Sequence, residues 1–307
     1  MNTVKNILKK NDFIFKTYKS FAKKKIEFFI KFSPVLASKF LYKRSTGRKL
    51  NLKNPRNFNE KIQWLKLYWQ HPLVAKCADK YEVRKYIEES GCKEILNDLY
   101  GVYNDTSEIK WDSLPNKFAM KTTNGCDTYI VTNDKSKLSK EKSLKLLDKW
   151  LKIDFGLLYG EIHYSKMKPR IICEKYIETD EGLLPNDYKL FCFNGEPKYL
   201  YVGVIDETGY THKTFYNLNW EKQDFLKAGY KSYHHKKPDS LNDMIKYAKI
   251  LSKPFPFVRV DFYDLNGKTL FGEMTFTPTG GLATYYKDDI LEMLGEMITL
   301  PKEKILN

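Results

Sequence analysis

Two carboxylates and one arginine near the carboxyl-terminal end of the chain form the strongest candidate site for chemistry. Arg259 and Asp261 lie in one apolar run and Glu273 lies in the next, with an Asn266-Gly267 turn between the runs. Carboxylates in apolar strands are costly to bury unless a cation balances them. Carboxylate oxygens that share an ion with phosphates suit Mg²⁺, and a neighbouring arginine can stabilise a transferring phosphoryl group. The spacing therefore predicts a magnesium and phosphate site on two adjoining strands.

Three earlier segments place charged residues at the end or on one face of a predicted strand. Lys121 ends a strand and precedes a glycine-containing turn at 122–127, whose backbone N–H groups can face a phosphate. Glu174 ends an apolar strand, where an acid can accept a hydrogen bond from a ribose or an amino group. Asp187 and Lys189 alternate with apolar residues and so share one strand face. Each segment alone is also explained by an ordinary hairpin, core strand or exposed sheet face.

Taken in order, the four segments resemble the ATP-grasp superfamily. Three further blocks resemble its TupA-like family of teichuronopeptide and surface-polysaccharide biosynthesis, namely NPRNFNEKIQW (54–64), ADKY (78–81) and FPFVRVD (255–261). The resemblance extends over roughly residues 50–298. It implies an α+β (α/β) architecture, the ATP-grasp fold, in which ATP is held between two α+β subdomains.

The resemblance also implies roles for individual residues. The residues contacting the nucleotide would be Lys80, Lys121, Asn124, Gly125, Glu174, Lys175, Ile177 and Asp187. Lys80, Lys121 and the 124–127 turn would contact the phosphates. Glu174, Lys175 and Ile177 would hold the adenine, and Asp187 would bind the ribose. The Mg²⁺ ligands would be Asp261, Glu273 and Thr275, the last standing where the superfamily usually has asparagine. The catalytic residues would be Arg259, facing an acyl phosphate, and Lys189.

Enzymes of this superfamily phosphorylate a carboxylate with ATP, and an amine then displaces the phosphate. We therefore expect an ADP-forming carboxylate–amine ligase that needs ATP and Mg²⁺ and modifies a capsule, cell-wall or O-antigen sugar. Its substrates would be a small or lipid-linked sugar acid and an amine. Two alternatives stay open, a glycosyltransferase of a polysaccharide locus and a degenerate ATP-binding module without catalysis. The absence of a D-x-D motif from the sequence argues against the glycosyltransferase.

The elements that must position these residues follow from the hydrophobic pattern. Residues 51–115 are predicted to be mostly helical, with helices over 59–68 and 74–89 and a cap at Asn57 or Asn59. Residues 116–178 read as strand, turn, strand, helix and strand, and form a small subdomain. Residues 179–307 form the second subdomain, with hairpins that turn at Asn194-Gly195 and Asn266-Gly267.

The positive charge of the chain is concentrated in an amino-terminal arm. Residues 1–50 contain 14 Lys/Arg and two acids, so they carry +12 of the net charge of +15. Apolar residues from Val4 to Ile30 recur at i, i+3 and i+4 among the lysines, which predicts a basic amphipathic helix. Such a helix can bind an anionic membrane surface, or it can pack on the body with its basic face in water. Nucleic acid is less favoured because no binding motif accompanies the charge.

The remaining composition fits a folded protein in a reducing compartment. Hydrophobic residues make up 42% of the 307 residues and charged residues 30%. The five cysteines form no C-x-x-C pair, and no apolar run is long enough to span a bilayer. We therefore expect a cytoplasmic protein, which the arm would bring to the inner face of the cell membrane if it binds lipid.

Overall fold

The structure is a computed structural model that describes residues 28–178, 185–206 and 210–306. Most of the amphipathic stripe predicted for the arm, from Val4 to Ile26, lies outside these residues. The end of the arm is helical over 28–32 and again in α1, Pro34–Thr46.

Seven further helices follow in the described residues. They are α2 (Phe58–Tyr68), α3 (Pro72–Ala78), α4 (Glu82–Glu89), α5 (Lys140–Leu151), α6 (Phe155–Tyr159), α7 (Leu241–Ser252) and α8 (Asp288–Glu296). The predicted start of α2 is confirmed, because Asn57 and Glu60 form a reciprocal capping box. None of the helices described here is both long and apolar enough to cross a membrane.

The single helix predicted over 74–89 is wrong, because the chain breaks between α3 and α4. Asp79 ends α3, and its carboxylate accepts hydrogen bonds from the backbone N–H groups of Tyr81 and Glu82 at 2.8 and 3.0 Å. An aspartate side chain that binds nearby backbone in this way competes with the helical hydrogen-bond pattern. The break places Lys80 in a connecting segment, where it is free to reach the small subdomain.

Two antiparallel sheets form the body of the protein. The small sheet has the order β1-β4-β2-β3, from β1 (Leu99–Tyr103), β2 (Phe118–Thr122), β3 (Tyr129–Thr132) and β4 (Ile171–Lys175). The large sheet has the order β10-β9-β5-β6-β7-β8, from β5 (Asp187–Phe193), β6 (Glu196–Ile205), β7 (Thr211–Asn217), β8 (Lys222–Gln223), β9 (Phe257–Leu265) and β10 (Lys268–Thr275). Helices combined with antiparallel sheets make this an α+β fold, as predicted.

Both predicted hairpin turns of the large sheet are confirmed. Asn194 and Gly195 have φ values of 50° and 83°, and Asn266 and Gly267 have 52° and 81°. Two consecutive residues with positive φ define the type I′ turn, which asparagine followed by glycine strongly favours. The small sheet, in contrast, includes the strand β1 from the region predicted to be mostly helical.

The large sheet is covered differently on its two faces. One face packs against α7, α3 and α4 through a core that includes Val258, Val260, Phe262 and Leu251. The opposite face packs against α2 and α8, but only at the end that carries Phe191, Phe193 and Phe257. Beyond these aromatic rings the strands β5, β9 and β10 present polar residues on that face. The candidate site lies on this polar part of the face, where Arg259 and Asp261 are themselves buried.

Candidate active site

The two carboxylates and the arginine singled out in the sequence lie together on the polar part of this face of the large sheet. In the pairing of β10 with β9, Glu273 is opposite Asp261 and Thr275 is opposite Arg259. In the pairing of β5 with β9, Lys189 is opposite Asp261. Residues directly opposite each other on antiparallel strands project from the same face. The predicted adjacency of the two acidic strands is therefore confirmed.

Arg259 is the centre of the hydrogen-bond network in this cluster. Its Nε and Nη2 atoms donate to the two oxygens of Asp261 at 2.7 and 2.6 Å. Nη2 also lies 3.1 Å from Oε1 of Glu273 and 2.9 Å from Oγ1 of Thr275. Such charge-assisted and bidentate contacts fix geometry more firmly than neutral hydrogen bonds do. One guanidinium thus orients all three predicted magnesium ligands.

Lys189 supplies the second cation of the cluster. Its ammonium group donates to Asp261 Oδ2 at 2.7 Å and also to Asp187. Burial would lower the pKa of Lys189, but the negative charges of Asp261 and Asp187 outweigh burial and raise it. Burial raises the pKa of Asp187 to about 6. Lys189 is therefore held as a cation between two carboxyl groups.

Glu273 differs from Asp261 in its exposure. Only 1% of Asp261 is exposed, whereas 39% of the Glu273 side chain is accessible. Partial burial alone would raise the pKa of Glu273, but Lys80, Arg259 and Lys189 outweigh it and lower the pKa to about 2. Glu273 is therefore an ionised carboxylate that faces an open cleft at neutral pH.

The oxygen atoms of the cluster fit a magnesium ion that is shared with a ligand. Asp261, Glu273 and Thr275 offer the hard oxygen donors that Mg²⁺ prefers. Asp187 Oδ1 is a buried acceptor without a hydrogen-bond partner. Within the described part of the chain no group of three or more His, Cys, Asp or Glu could hold a metal. A magnesium ion bound here would need phosphate or water oxygens to complete its shell, which is its usual mode beside nucleotides.

The turn of the small subdomain reaches the cluster through Lys80. The Lys80 ammonium donates to the carbonyl oxygen of Gly125 at 2.5 Å and lies 3.9 Å from Glu273 Oε2. Gly125 has no room for a side chain, because a Cβ atom would lie 2.3 Å from the Phe155 ring. One lysine thus connects the predicted phosphate turn to the predicted metal ligand.

A cleft between the two sheets contains most of the predicted nucleotide-binding charges. It is lined by Lys80, Arg84, Leu96, Asn97, Lys121, Glu174, Phe271 and Gly272. In this cleft Lys121 Nζ lies 3.1 Å from Glu174 Oε2. The lysines come from the small subdomain and a connecting segment, whereas Phe271 and Gly272 come from β10. A ligand in the cleft would therefore contact both subdomains.

Arg84 is a cleft residue that the sequence analysis missed. It lies on α4, with Nη1 3.5 Å from Glu174 Oε1 and with Nη2 donating to the carbonyl oxygen of Asn97 at 2.8 Å. In the sequence it is one of several charges on a short amphipathic helix, so no pattern marks it. Its contact with Glu174 positions that carboxylate against Lys121.

Two predicted nucleotide contacts use their side chains elsewhere. Asn124 is buried, and its amide donates to the carbonyl oxygen of Ile153 at 3.4 Å. The Lys175 ammonium lies 3.1 Å from Asp98, on the opposite face of β4 from Glu174. The half-buried Ile177 follows the end of β4. Contacts to a nucleotide from Asn124 and Lys175 would thus involve their backbone.

The geometry describes two α+β subdomains that face each other across a cleft lined by Lys80 and Lys121. Lys80 connects this cleft to the cluster of Arg259, Asp261 and Glu273 on the large sheet. This arrangement is the ATP-grasp fold. The sequence model of the TupA-like ATP-grasp family matches residues 60–299. The chain therefore belongs to the TupA-like ATP-grasp family.

Comparisons with individual proteins give more distant similarities. None of the curated proteins matches the sequence. Among solved structures, D-alanine–D-alanine ligase from Bacillus anthracis, complexed with ATP, is 13% identical with a TM-score of 0.45 and covers 80% of this chain and 69% of its own. The corresponding ligase from Helicobacter pylori is 16% identical with a TM-score of 0.40, and the match covers 81% of this chain and 68% of the ligase. The ATP-grasp ligase PsnB, complexed with a minimal precursor, is 10% identical with a TM-score of 0.41, and the match covers 78% of this chain and 65% of PsnB.

Proposed function

We propose that the protein is an ATP- and Mg²⁺-dependent ligase that joins a carboxylate to an amine with release of ADP and phosphate. The observation that carries the proposal is the position of Lys80, which contacts both the Gly125 turn and Glu273. A phosphate chain placed there would lie against lysines on one side and the carboxylate cluster on the other. Family membership supports the same class of reaction.

Each group of residues has a distinct part in the proposed reaction. Lys80 and Lys121 would bind the phosphates of ATP as point charges. Asp261, Glu273 and Thr275 would hold Mg²⁺, which when bound supplies neutralisation of phosphate charge. The two lysines and the three magnesium ligands would thus bind the nucleotide. The residues that would act on the transferring phosphoryl group lie beside them.

Arg259 is the residue best placed to act on the transferring phosphoryl group. It lies among the predicted metal ligands, where a guanidinium can stabilise negative charge on the phosphate and on the acyl oxygen. Lys189 contacts the same Asp261 carboxylate from the neighbouring strand, so it holds the cluster in register and adds positive charge. The attacking amine would enter from the open cleft, because the opposite face of the sheet is closed by α7.

We further propose that the substrates belong to the synthesis of a surface polysaccharide, with a sugar acid or an amino-acid carboxylate as the acyl donor. The family resemblance supports this context. The protein should be incubated with ATP, Mg²⁺ and panels of sugar acids and amines while ADP and amide are measured. ADP and amide that form together, and that vanish in Glu273→Gln, would support the ligase. Transfer of sugar from an added nucleotide sugar, without ADP formation from ATP, would indicate a glycosyltransferase, and ATP binding without turnover would indicate a degenerate module.

We propose in addition that the end of the arm docks the enzyme on an anionic membrane surface. The described part of the arm exposes apolar side chains four residues apart, namely Phe28, Phe32, Leu36 and Phe40, with 59, 70, 56 and 59% of each residue exposed. Phe28 and Phe32 lie on adjacent turns of the helix over 28–32, and Leu36 and Phe40 lie on adjacent turns of α1, with the non-helical Ser33 between the two helices. Basic residues flank the row, namely Lys31, Lys39, Lys43 and Arg44. Large apolar groups combined with lysines suit the boundary between acyl chains and anionic headgroups.

Co-sedimentation of the full-length protein with vesicles tests this docking. We expect pelleting with phosphatidylglycerol vesicles that falls as salt is raised, because exposed charges are screened over about 10 Å at 0.1 M. Phe32→Asp combined with Phe40→Asp should abolish it. The matched control, Leu146→Asp with Ile250→Asp, makes the same change at exposed apolar residues elsewhere and should pellet like wild type. Equal pelleting of all three proteins would contradict docking of the arm on the membrane. Dimerisation that depends on Phe32 and Phe40 would contradict it as well.

A further inference from the structure

Glu161 is a buried carboxylate beside the charged cluster of the large sheet, and none of the roles proposed for that cluster involves it. The residue is 9% exposed, and the hydroxyl of Thr277 donates a hydrogen bond to its Oε1. Thr277 lies two residues beyond Thr275, and two residues of chain span at most about 7 Å. Glu161 is therefore held close to the end of the strand that carries Glu273 and Thr275.

The segment that leads to Glu161 also contacts the predicted phosphate turn. Its first residue, Phe155, begins α6 and covers Gly125 so closely that a Cβ atom there would lie 2.3 Å from the ring. Gly160 ends α6 with φ of 68°, a left-handed conformation that glycine adopts without strain. Glu161 follows directly and contacts Thr277. Residues 155–161 therefore connect the phosphate turn to the end of β10.

The half-buried Tyr164 lies within reach of both Glu161 and Glu273. Burial raises the pKa of its hydroxyl, and the negative charges of Glu161 and Glu273 raise it further, whereas Arg259 lowers it. Partial burial and neighbouring carboxylates, including the same two, raise the pKa of the Cys126 thiol in the turn to about 11. Charges act strongly on a third group only at short range. Glu161 therefore faces the same space as the predicted metal ligand Glu273.

Glu161 lacks the cations that the other carboxylates of the site have. Asp261 is paired with two cations, and so are Glu273 and Glu174. In the part of the chain that the structure describes, no lysine, arginine or histidine nitrogen lies within 4 Å of the Glu161 carboxylate. A carboxylate removed from water needs a compensating charge. The ammonium group of a ligand would supply it.

Among the basic groups around this position, Glu161 is the one suited to accept a proton at neutral pH. Burial raises its pKa more than the hydrogen bond from Thr277 and the charge of Lys66 lower it, which makes it a better proton acceptor. Lys66 donates to the carbonyl oxygen of Gly280 at 3.5 Å, and burial lowers its pKa to about 8, so it is still protonated at neutral pH. Burial lowers the pKa of His163 to about 3, so its imidazole is too weak a base.

We propose that Glu161 binds the attacking amine of the ligase as an ammonium ion and accepts one of its protons. The assignment rests on the proposed function and adds the base of its second step. The ammonium gives one proton to Glu161, and the freed lone pair attacks the carbon of the acyl phosphate. The C–N bond forms while the C–O bond to phosphate breaks, and phosphate leaves with the bonding electrons. Phosphate takes the second proton from nitrogen, and Glu161 passes its proton to water.

Hydroxylamine and ammonium chloride are a matched pair of acceptors that test this assignment. They are similar in size, but at neutral pH hydroxylamine is unprotonated, whereas ammonium must lose a proton before it can attack. The full-length protein is incubated with ATP, Mg²⁺ and D-glucuronate, D-galacturonate or L-glutamate, and hydroxamate, amide and ADP are measured. The wild type should use both acceptors. Glu161→Gln should form hydroxamate like the wild type but lose about a hundredfold or more of amide formation from ammonium, as expected for loss of a general base.

Two further variants and a pH series separate this role from a structural one. Glu141→Gln removes a carboxylate on α5 whose side chain is 77% exposed, and it should use both acceptors like the wild type. Thr277→Val removes the hydroxyl that orients Glu161, and it should lose about tenfold with ammonium alone, as expected for a hydrogen bond to a charged group. Raising the pH should reduce the deficit of Glu161→Gln, because free ammonia needs no base.

The outcomes distinguish this assignment from the proposed function. Equal losses with both acceptors in folded Glu161→Gln would show a structural role and overturn the assignment. Unchanged amide formation in that variant would overturn it as well, as would a wild type that uses hydroxylamine but not ammonium. If Glu161→Gln does not fold, an unchanged use of ammonium by Thr277→Val would overturn it. A wild type that forms no hydroxamate with any of the acids would instead overturn the proposed function, since hydroxamate formation does not depend on Glu161.

Discussion

Replacing Asp261 with asparagine should destabilise the fold, whereas replacing Glu273 with glutamine should not. Asp261 is 1% exposed and balances two cations, through two hydrogen bonds from Arg259 at 2.7 and 2.6 Å and one from Lys189 at 2.7 Å. Asparagine has nearly the same shape but carries no charge, and its amide group would face one of these cations. The variant would leave Arg259 and Lys189 underbalanced inside the protein.

The two substitutions differ in expected magnitude because the side chains differ in exposure. Removing one partner of a buried ion pair costs about 3–5 kcal/mol, a large share of a typical domain stability of about 5–15 kcal/mol. Glu273 has 39% of its side chain exposed and makes one contact to Arg259 at 3.1 Å. Exposed ion pairs contribute about 1 kcal/mol or less. Both variants should nevertheless lose ATP turnover, because each removes a predicted magnesium ligand.

Urea unfolding of the wild type and both variants, followed by circular dichroism, measures the difference directly. The unfolding midpoint of Asp261→Asn should fall well below that of Glu273→Gln, while the slope of the transition stays the same. Mg²⁺ with ATP should raise the midpoint of the wild type but not of Glu273→Gln. Equal stability of the two variants would refute the reasoning about the buried cluster. Unchanged turnover in both would refute the metal site.

Three further predictions follow from other contacts. Lys121→Ala should weaken ATP binding, measured by calorimetry, because it removes a cation that faces the cleft beside Glu174. If the variant binds ATP with the affinity of the wild type, Lys121 has only a structural role in its hairpin. Burial lowers the pKa of Lys66 to about 8, so between pH 8 and about 10.4 only the unfolded state holds that proton and stability rises with pH. In urea unfolding Lys66→Met should therefore stabilise the protein most near pH 7 and progressively less above pH 8; a pH-independent difference would contradict this. Gly295→Ala should lower the melting temperature sharply, because its Cβ would lie 2.2 Å from the carbonyl oxygen of Arg56; an unchanged melting temperature would show that α8 shifts freely.

The sequence predicted best where local chemistry determines local structure. Asn57 with Glu60 marked the start of α2, and the two asparagine–glycine pairs marked the hairpins, because these motifs need no distant partner. The adjacency of Asp261 and Glu273 followed for the same reason, since a two-residue turn places both on neighbouring strands of one hairpin. These features could be read without knowing the rest of the fold.

The sequence predicted poorly where a side chain acts on distant backbone or on another element. The break at Asp79 looks helical by periodicity, and only its bonds to Tyr81 and Glu82 reveal it. Arg84 and Lys213 resemble ordinary solvated charges until the fold brings them to Glu174 and Tyr285. The buried pair formed by Glu161 and Thr277 joins residues 116 positions apart, and no local pattern predicts such a contact.

The charge of the cluster gives a physical reason why the proposed nucleotide would bind together with Mg²⁺. Asp187, Asp261 and Glu273 face Lys80, Lys189 and Arg259, so three negative groups are set against three positive ones. A phosphate chain that bound Lys80 would draw it away from Glu273, and the two anions would then face each other across the cleft. Their repulsion in a partly buried site exceeds what it would be in water. Mg²⁺ held by Glu273 would supply the positive charge that offsets this repulsion, so we expect free ATP to bind far more weakly than its magnesium complex.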